Sequence, residues 1–483
     1  MALRLGHEAC GDSVNVTVQK EREHVKRILF VHGRAGTPLQ YALPRVAARA
    51  ELHVLAISPL PTGGAEAWRP ACASIVEAWQ DRPRGEDLVE LIMRHAKHVG
   101  ADAVLCLSEY LVLAGAVAAE RLGLRGPGSG AARRARDKRL MRASWRRDGV
   151  PIPRFLPVED EADVRWAVRE LTPPLLLKPA WGSGSIGQMV VRSEADAPAA
   201  FAALTASLRR NDDFGLVEWY EPDAARNLLV EEIISGTTEG WYGDEDARRR
   251  YGDYVSIEGI VSDGTYHPLC VTARMPTIPP FTELSSNAPC VLPEPLQRRI
   301  EEVARAAVDA LGLENCGTHT EIKLCADGSL AVVETAARFG GSVIARVVEH
   351  VFGLDMVDML VRQLLGEPVD YPERMLTRGR GAAATLAWLP ADASGRPWTS
   401  EPVWRPEATR LEALLSPGST IETVPELTAP AGSTVPRYDP AAGARNCFGR
   451  FFVTAVDPET LITDLYAVTN GLERALGTVP GDR

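Results

Sequence analysis

Residues 317–338 read GTHTEIKLCADGSLAVVETAAR, and this segment says more about the architecture of the chain than any other. Apolar Ile, Leu and Val alternate with polar residues on both sides of the dipeptide Asp327-Gly328. An Asp-Gly pair between two alternating runs is a strong signal for a β-hairpin. Counting outward from a two-residue loop at Asp327 and Gly328 places Glu321 directly opposite Glu334.

The two opposed glutamates predict a metal site. Like charges directly opposite each other destabilise a sheet. A hard divalent cation removes that cost, because Mg2+ takes oxygen ligands and is usually held by one or two carboxylates together with phosphates. Glu321 and Glu334 are therefore the predicted ligands of Mg2+, with Mn2+ as the substitute. The alternative is a pair of exposed glutamates on a solvated strand edge.

The composition indicates a soluble enzyme built from several domains. A length of 483 residues suffices for roughly three domains. The net charge of -11 argues against a nucleic-acid partner. The eight cysteines show no CxxC pair, which fits a reduced cytoplasm. No apolar stretch approaches the length of about 18 residues that a membrane-spanning helix needs.

The order of strand and helix signals predicts an α/β protein with α+β parts. Residues 1–130 alternate short apolar runs with helical stretches, as in a small parallel α/β domain, and end in a Gly-rich loop. Residues 131–371 form a central domain that begins with a helix over 131–147. Residues 372–483 are rich in Pro, Gly and Thr, with short strand signals, and are predicted to be a β-rich domain.

A lysine and a Gly/Ser loop within the central domain predict a phosphate site. Lys178 ends the strand LLLKP and can supply a point charge to phosphates. The following loop over 182–187 joins two strands, which excludes a Walker A loop because that loop opens a helix. Its backbone N–H groups, at Ser183, Gly184 and Ser185 among others, can still cover phosphates. The alternative is a flexible surface hairpin.

From about residue 135 to 355 the order of parts resembles the ATP-grasp ligases. The resemblance implies an ATP-grasp fold with an N-terminal pre-ATP-grasp domain, a mobile lid at about 172–232, and ATP with Mg2+ bound together. Lys138, in RDKRLM over 136–141, and Lys178 would both reach the ATP phosphates. The backbone of a hinge would hold the adenine; its residues are Glu231, Glu232, Ile233 and Ile234.

Five segments are similar to the bacilysin-type L-amino acid ligases, which join two amino acids: DYVSIEGI at 253–260, FTE at 281–283, THTEIKL at 318–324, ETAARF at 334–339 and FGLDM at 352–356. The resemblance implies that Glu283 holds the amino group of the first amino acid. It also implies that Arg338 binds a carboxylate or the acyl phosphate, and that both act in the reaction with Lys178. Charge complementarity supports these pairings.

Two positions depart from the pattern. Ala336 stands where many ATP-grasp enzymes place a metal-binding Asn, a departure that the L-amino acid ligases share. Ser342, after Gly341, stands where the bacilysin-type ligases carry a tryptophan, so we expect a wider substrate pocket there. His319 shares a strand face with Glu321, where it can contact phosphate or substrate or simply pack.

These observations favour an ATP-dependent carboxylate–amine ligase that acts on small-molecule amino-acid substrates through an acyl phosphate. Two other functions stay open: a biotin-carboxylase-like carboxylating enzyme, and a nucleotide-binding protein without catalysis. No nucleic-acid or membrane partner is expected. The sequence leaves the oligomeric state undetermined, and a homodimer is compatible with it.

Overall fold

The structure is a computed structural model that describes residues 25–477, apart from 214, 215, 217, 222 and 441. Residues 1–24 of the predicted N-terminal domain and 478–483 of the predicted C-terminal domain lie outside the described residues. None of the helices in the described part of the chain combines the length and the apolar character that crossing a membrane requires.

A parallel four-stranded sheet forms the N-terminal part, in the order β3-β2-β1-β4. Its strands read as short apolar runs because helices cover them on both faces. The elements are β1 (Arg27–His32), α1 (Leu39–Ala47), β2 (Glu51–Ala56), α2 (Ala65–Trp68), β3 (Cys72–Glu77), α3 (Gly85–Val99), β4 (Ala103–Leu105) and α4 (Val112–Arg121). The predicted parallel α/β unit is confirmed.

The helix predicted over 131–147 is in fact two helices, α5 (Ser129–Arg136) and α6 (Lys138–Arg147). Asp137 lies between them in an extended conformation, with φ −88° and ψ 105°, and its side chain accepts a hydrogen bond from the backbone N–H of Arg139. Asp is a favoured N-cap because its carboxylate satisfies a free N–H of the first turn. The break puts Lys138 at the first position of α6.

An antiparallel sheet with its own apolar core follows, in the strand order β5-β8-β6-β7. Leu175 and Leu177 pack in this core against Val230 and Leu204. The elements are β5 (Phe155–Val158), α7 (Glu161–Glu170), β6 (Leu175–Pro179), β7 (Met189–Val191), α8 (Ala197–Asp213) and β8 (Leu228–Glu232). The loop over 182–187 joins β6 to β7.

Two further antiparallel sheets complete the fold, in the orders β10-β9-β12-β13 and β11-β14-β16-β15. The central elements are α9 (Glu245–Arg250), β9 (Tyr254–Ser262), β10 (Thr265–Thr272), β11 (Ser285–Ala288), α10 (Glu294–Asp309), β12 (Cys316–Leu324), β13 (Leu330–Ala336), α11 (Ile344–Phe352) and α12 (Met356–Leu364). The last elements are β14 (Ala382–Trp388), β15 (Thr420–Thr423), β16 (Gly449–Ala455) and α13 (Pro458–Gly477).

The C-terminal part differs from a purely β-rich domain in two ways. Its sheet includes β11, which comes from before residue 372, because β11 pairs with β14. It also contains the 20-residue helix α13, which buries Leu461, Leu465 and Leu472. These leucines recur at helical spacing, so the helix presents one apolar stripe to the core.

Candidate active site

A cavity of about 900 Å³ lies between the four sheets. Each side chain that the sequence singles out for a site lines this one cavity. They come from the start of α6, the end of β6, the loop over 182–187, the end of β8 and the residues after it, the β12–β13 hairpin and the segments over 281–283 and 338–342. Residues up to 418 positions apart in the sequence therefore meet in it, counting from His32 to Arg450.

The β12–β13 hairpin places Glu321 directly opposite Glu334, as predicted. The loop, however, is not the two-residue loop that the prediction used. The N–H of Cys325 donates to the carbonyl of Ser329 at 3.0 Å, which leaves the three residues over 326–328 as the loop. A β-bulge beside Glu321 compensates for the additional loop residue and restores the predicted pairing.

Local hydrogen bonds explain the longer loop. Asp327 Oδ1 accepts hydrogen bonds from the backbone N–H of Ser329 at 2.9 Å and from its hydroxyl at 2.6 Å. Asp side chains commonly stabilise turns by bonding to the backbone two residues later. Gly328 has a φ of 79°, and a left-handed glycine at the last loop position is typical of three-residue hairpins.

Lys138 connects the hairpin to the loop over 182–187. Its Nζ lies 3.0 Å from Glu334 Oε2 and donates to the carbonyl of Gly182 at 2.8 Å. Its backbone N–H donates to the carbonyl of Ala180 at 3.0 Å. The lysine is buried at the first position of α6, so its charge is held beside the glutamate pair.

Lys178 is held by a buried network on the neighbouring strand. Its ammonium donates to Glu231 Oε1, and Glu231 Oε2 accepts from Arg142 Nη2 at 3.0 Å. All three side chains are buried. Burial lowers the pKa of Lys178 to about 8, although the Glu231 carboxylate opposes the shift. The side chain of Glu231 thus positions a phosphate-binding candidate.

The remaining hinge residues line the cavity beyond the end of β8. Glu232 Oε1 accepts from the N–H of Thr172 at 2.9 Å, and Ile233 donates its N–H to the carbonyl of Pro174 at 3.4 Å. These contacts join the end of β8 to the segment just before β6. Ile233 and Ile234 add half-buried apolar surface to the cavity wall, which suits a flat aromatic base.

The loop over 182–187 contacts the C-terminal part across the cavity. Gly184 and Ser185 have φ values of 65° and 56°, so the loop turns through left-handed conformations. The N–H of Ala444 donates to the carbonyl of Gly184 at 3.0 Å. A Cβ at Gly443 would lie 2.6 Å from the carbonyl oxygen of Ser185, so glycine is required for this close approach.

Glu321 belongs to a chain of charges that runs to Glu283. Arg274 Nη2 lies 3.3 Å from Glu321 Oε1, and Arg274 Nη1 lies 3.5 Å from Glu283 Oε2. Tyr254 donates its hydroxyl to Glu283 Oε1. Burial acts to raise the pKa of Glu283. The charge of Arg274 and the hydrogen bond from Tyr254 outweigh this effect, so the pKa of Glu283 is lowered. Glu283 is therefore an anion at the cavity wall, as its predicted role requires.

The two opposed glutamates have pKa shifts of opposite sign. Burial and the carboxylates of Glu283 and Glu334 raise the pKa of Glu321 against the hydrogen bond from His319. Burial acts on Glu334 in the same direction, but the nearby cations, Lys138 foremost, outweigh it and hold its pKa well below the usual range. Two neighbouring carboxyl groups whose surroundings shift their pKa values in opposite directions are typical of functional sites.

His319 is buried beside Glu321 and is fixed by a third carboxylate. Its Nδ1 lies 2.6 Å from Glu258 Oε1, and its Nε2 lies 3.4 Å from Glu321 Oε1. Burial lowers the pKa of His319, but the two carboxylates outweigh that effect and raise it to about 9. The imidazole also lines the cavity, so His319 is packed among protein groups and is also accessible to a ligand.

Arg338 is held in the cavity wall by the N-terminal part of the chain. Its Nη2 lies 2.5 Å from Glu109 Oε2, and its Nη1 donates to the carbonyl of Phe339 at 2.7 Å. Glu109 also accepts from Arg136, and all three charged side chains are buried. Among the described residues, Arg338 Nε has no hydrogen-bond partner.

Gly341 and Ser342 border open space at the cavity. A Cβ placed at Gly341 would meet nothing within 4 Å. Ser342 has a φ of 59°, and its hydroxyl lies 2.7 Å from that of Thr385 on β14. Unfilled volume therefore lies beside Gly341, and the wider substrate pocket at Ser342 stays a prediction.

The glutamate pair fits a metal that is shared with a ligand. Among the described residues, no group of three or more His, Cys, Asp and Glu side chains is arranged to hold a metal ion. Glu321 and Glu334 offer two carboxylates, and Ala336 supplies no donor. Mg2+ commonly completes such a set with phosphate oxygens and water. The donors therefore fit a magnesium–nucleotide complex.

Several charged residues of the site have no recognisable sequence motif: Glu109, Arg142, Arg274 and Arg450. Glu258 has a partial signal, since it is the single charge in the mostly apolar segment VSIEGIV over 255–261. A buried charge needs a partner, so such a residue is a candidate for a network. Its partner, His319, could not be identified from spacing alone.

Comparisons with known proteins agree with this geometry. No protein-family model matches the chain. The alanine–anticapsin ligase of Bacillus subtilis is 37% identical over 297 residues, which cover 61% of this chain and 61% of that protein. The match therefore spans less than two thirds of that relative's length.

Solved structures share the fold at low sequence identity. An L-amino acid ligase from Bacillus licheniformis matches with a TM-score of 0.68 and 18% identity, over 92% of this chain and 97% of that one. A biotin carboxylase from Campylobacter jejuni matches with a TM-score of 0.61 and 16% identity, over 92% and 94%. The fold alone does not separate these two activities, whereas the sequence match favours the ligases. The chain therefore has the ATP-grasp fold, and over 61% of its length its sequence is similar to the alanine–anticapsin ligases.

Proposed function

We propose that this chain is an ATP-dependent ligase that joins the carboxylate of one amino acid to the amine of a second substrate. The observation that carries the proposal is the meeting of Lys138 and Lys178, the pair Glu321 and Glu334, and the anionic Glu283 in one cavity. The lysines suit phosphates, the glutamate pair suits a divalent cation, and Glu283 suits an ammonium group.

The chain's own residues would act on ATP by position and charge. Lys138 and Lys178 bind the phosphates, and the backbone of the loop over 182–187 covers them. The half-buried segment from Glu231 to Ile234 takes the adenine. Glu321 and Glu334 would hold Mg2+, or Mn2+, which would supply positive charge to the phosphates when bound. Phosphoryl transfer depends mostly on such positioning and electrostatic stabilisation.

The reaction needs no side-chain nucleophile. A carboxylate oxygen of the first amino acid bonds to the γ-phosphorus while the bond to the ADP oxygen breaks. The amine nitrogen of the second substrate then attacks the carbonyl carbon of the acyl phosphate, and phosphate leaves as the nitrogen loses a proton. Glu283 holds the ammonium of the first amino acid, and Arg338 balances the charge of the acyl phosphate.

The test is a reaction with ATP, Mg2+ and a pooled mixture of amino acids, followed by mass spectrometry of the products and an ADP assay. A ligase gives a dipeptide or related amide together with ADP, and only when a suitable pair is present. Bicarbonate with biotin in place of amino acids tests for carboxylation. ADP released with bicarbonate and biotin alone would replace the proposal by carboxylation. No ADP under any condition would indicate a nucleotide-binding protein.

The arrangement of the chain into parts follows the same proposal. We propose a pre-ATP-grasp domain over 1–130, an ATP-grasp domain over 131–371 with a mobile lid at about 172–232, and a C-terminal domain over 372–483. The separate apolar core of the sheet β5-β8-β6-β7 supports a lid that moves as a unit, and because this core includes β5 and α7 the moving unit would also take in residues before 172. A homodimer stays a prediction, which light scattering of the purified protein measures.

A further inference from the structure

Arg450 is a cation of the cavity that is not yet accounted for. It lies on β16, lines the cavity and is half-buried. Its backbone N–H donates to Thr428 Oγ1 at 3.2 Å. Its guanidinium forms no ion pair or hydrogen bond with any of the described residues. Guanidinium groups that are partly removed from water usually have an anionic partner.

The surroundings of Arg450 form a small polar patch on an apolar sheet face. Arg450 pairs with Ala387, and two residues further along β16 Phe452 pairs with Thr385. Residues paired across antiparallel strands share a face, and so do residues two apart on one strand. Thr385 bonds to Ser342, so Arg450 shares this face with the polar pair beside the open volume at Gly341.

The order of charges in the cavity decides which ligand group Arg450 can reach. Lys138 contacts Glu334, Glu334 faces Glu321, and Arg274 bridges Glu321 to Glu283. Arg450 is near enough to Glu283 for its charge to help lower the pKa of that carboxyl, but it forms no hydrogen bond or ion pair with the described residues around Lys138, Glu334 and Glu321. The carboxylate that is phosphorylated must lie at the phosphate end. Arg450 lines the cavity without contacting the lysines and glutamates that suit the phosphates and the metal, so a carboxylate at Arg450 belongs to another part of the reacting molecules.

Arg338, the arginine with a proposed substrate role, already has protein partners. Arg338 is paired with Glu109 at 2.5 Å and donates to the carbonyl of Phe339. The Arg450 guanidinium borders the cavity and has no hydrogen-bond or ion-pair partner among the described residues. A guanidinium binds a carboxylate through two parallel hydrogen bonds, which fixes its orientation as well as its position.

We propose that Arg450 binds the carboxylate of the second, amine-donating substrate. The second substrate is then an amino acid, or another compound that carries both an amine and a carboxylate, and the product keeps that carboxylate free. Arg450 acts as a binding and specificity residue and takes no part in phosphoryl transfer. This inference rests on the proposed ligase activity.

The test compares a free amino acid with its carboxamide as the second substrate. The variant Arg450→Gln keeps most of the side-chain stem and removes the charge. The variant Arg450→Lys keeps a positive charge but cannot form the two parallel hydrogen bonds of a guanidinium. We expect Arg450→Gln to raise the KM for the free acid about tenfold to a hundredfold, the worth of a charge-assisted contact. The KM values for the carboxamide, for ATP and for the first substrate stay unchanged, and Arg450→Lys lies between. An unchanged KM for the free acid, or an equal rise for acid and carboxamide, overturns the inference.

A surface arginine supplies the control. Arg396 is 82% exposed and pairs with Asp392 in the same part of the chain, so Arg396→Gln should leave every KM unchanged. Calorimetry separates this inference from the ligase proposal. If the wild type releases no ADP with any pair, the ligase proposal fails. Binding of the free amino acid with a non-hydrolysable ATP analogue and Mg2+ then decides the role of Arg450. Weaker binding of the amino acid to Arg450→Gln than to the wild type supports the carboxylate-binding role of Arg450, and equal binding overturns that role.

Discussion

Lys138 Nζ lies 3.0 Å from Glu334 Oε2, so a helix-start cation and a hairpin carboxylate neutralise each other in the cavity wall. Both groups suit one magnesium–nucleotide complex, the lysine through phosphate and the glutamate through the metal. The pairing therefore keeps two charges compensated in the nucleotide-free site and directs both toward the same ligand.

Glu334→Gln should reduce ADP release by about a hundredfold or more, because it removes one of the two carboxylates that suit the metal. Circular dichroism should show an unchanged fold. The measurement is ADP release against Mg2+ concentration, with Glu302→Gln on the exposed face of α10 as the control. Full activity with an unchanged Mg2+ dependence would remove Glu334 from the metal site.

Lys138→Ala and Lys178→Ala should each weaken the binding of a non-hydrolysable ATP analogue by about tenfold to over a hundredfold. Each substitution removes a buried positive charge that we assign to the phosphates. Calorimetry measures the affinity, and Lys97→Ala, at an exposed position of α3, is the matched control. Wild-type affinity and turnover in both variants would show that these lysines do not bind phosphate.

The affinity for the ATP analogue should fall as the pH rises above about 8. Burial lowers the pKa of Lys178 to about 8, so its ammonium is present below that pH and is lost above it. Phosphate binding requires the charged form, and each pH unit above the pKa costs up to about tenfold in affinity. Lys178→Arg keeps its charge and should show a flat profile between pH 7 and 9.5. Parallel profiles for the two proteins would contradict this assignment.

Glu109→Gln should lower the free energy of unfolding by about 3 kcal/mol, because it leaves the buried Arg136 and Arg338 with less compensation. Chemical denaturation followed by tryptophan fluorescence measures the change. Glu86→Gln removes an exposed partner of Arg121 and should have little effect. Equal stability of both variants would show that the Glu109 network is not needed for folding.

Gly341→Leu should shift the substrate preference toward small amino acids. A side chain at this position extends into open volume, and φ here lies outside the left-handed region. Position 342 is less suitable for a bulky residue, since Ser342 has a φ of 59°. Products from paired small and large amino acids are profiled by mass spectrometry. Gly243→Leu, at an exposed glycine with open space, is the control. Identical profiles for wild type and Gly341→Leu would place Gly341 outside the substrate pocket.

The hairpin shows how far local sequence patterns reach. Alternation of apolar and polar residues and an Asp-Gly turn were enough to pair Glu321 with Glu334. The route to that pairing was wrong in detail, because a three-residue loop and a β-bulge offset each other. A bulge depends on how a strand fits its neighbours, and no local residue pattern predicted the bulge beside Glu321.

The sequence by itself determined the features that depend on neighbouring residues: the hairpin, the Gly/Ser loop after Lys178, and the apolar strands of the parallel sheet. Only the tertiary structure decided which charges meet. Glu109 reaches Arg338, and Arg142 reaches Glu231, across 229 and 89 positions of the sequence. The sequence does not show whether an isolated Arg or Glu is solvated or buried in the folded protein. Its partner is selected by the packing of distant strands, because a charge removed from water must be compensated wherever the fold brings an opposite charge within reach.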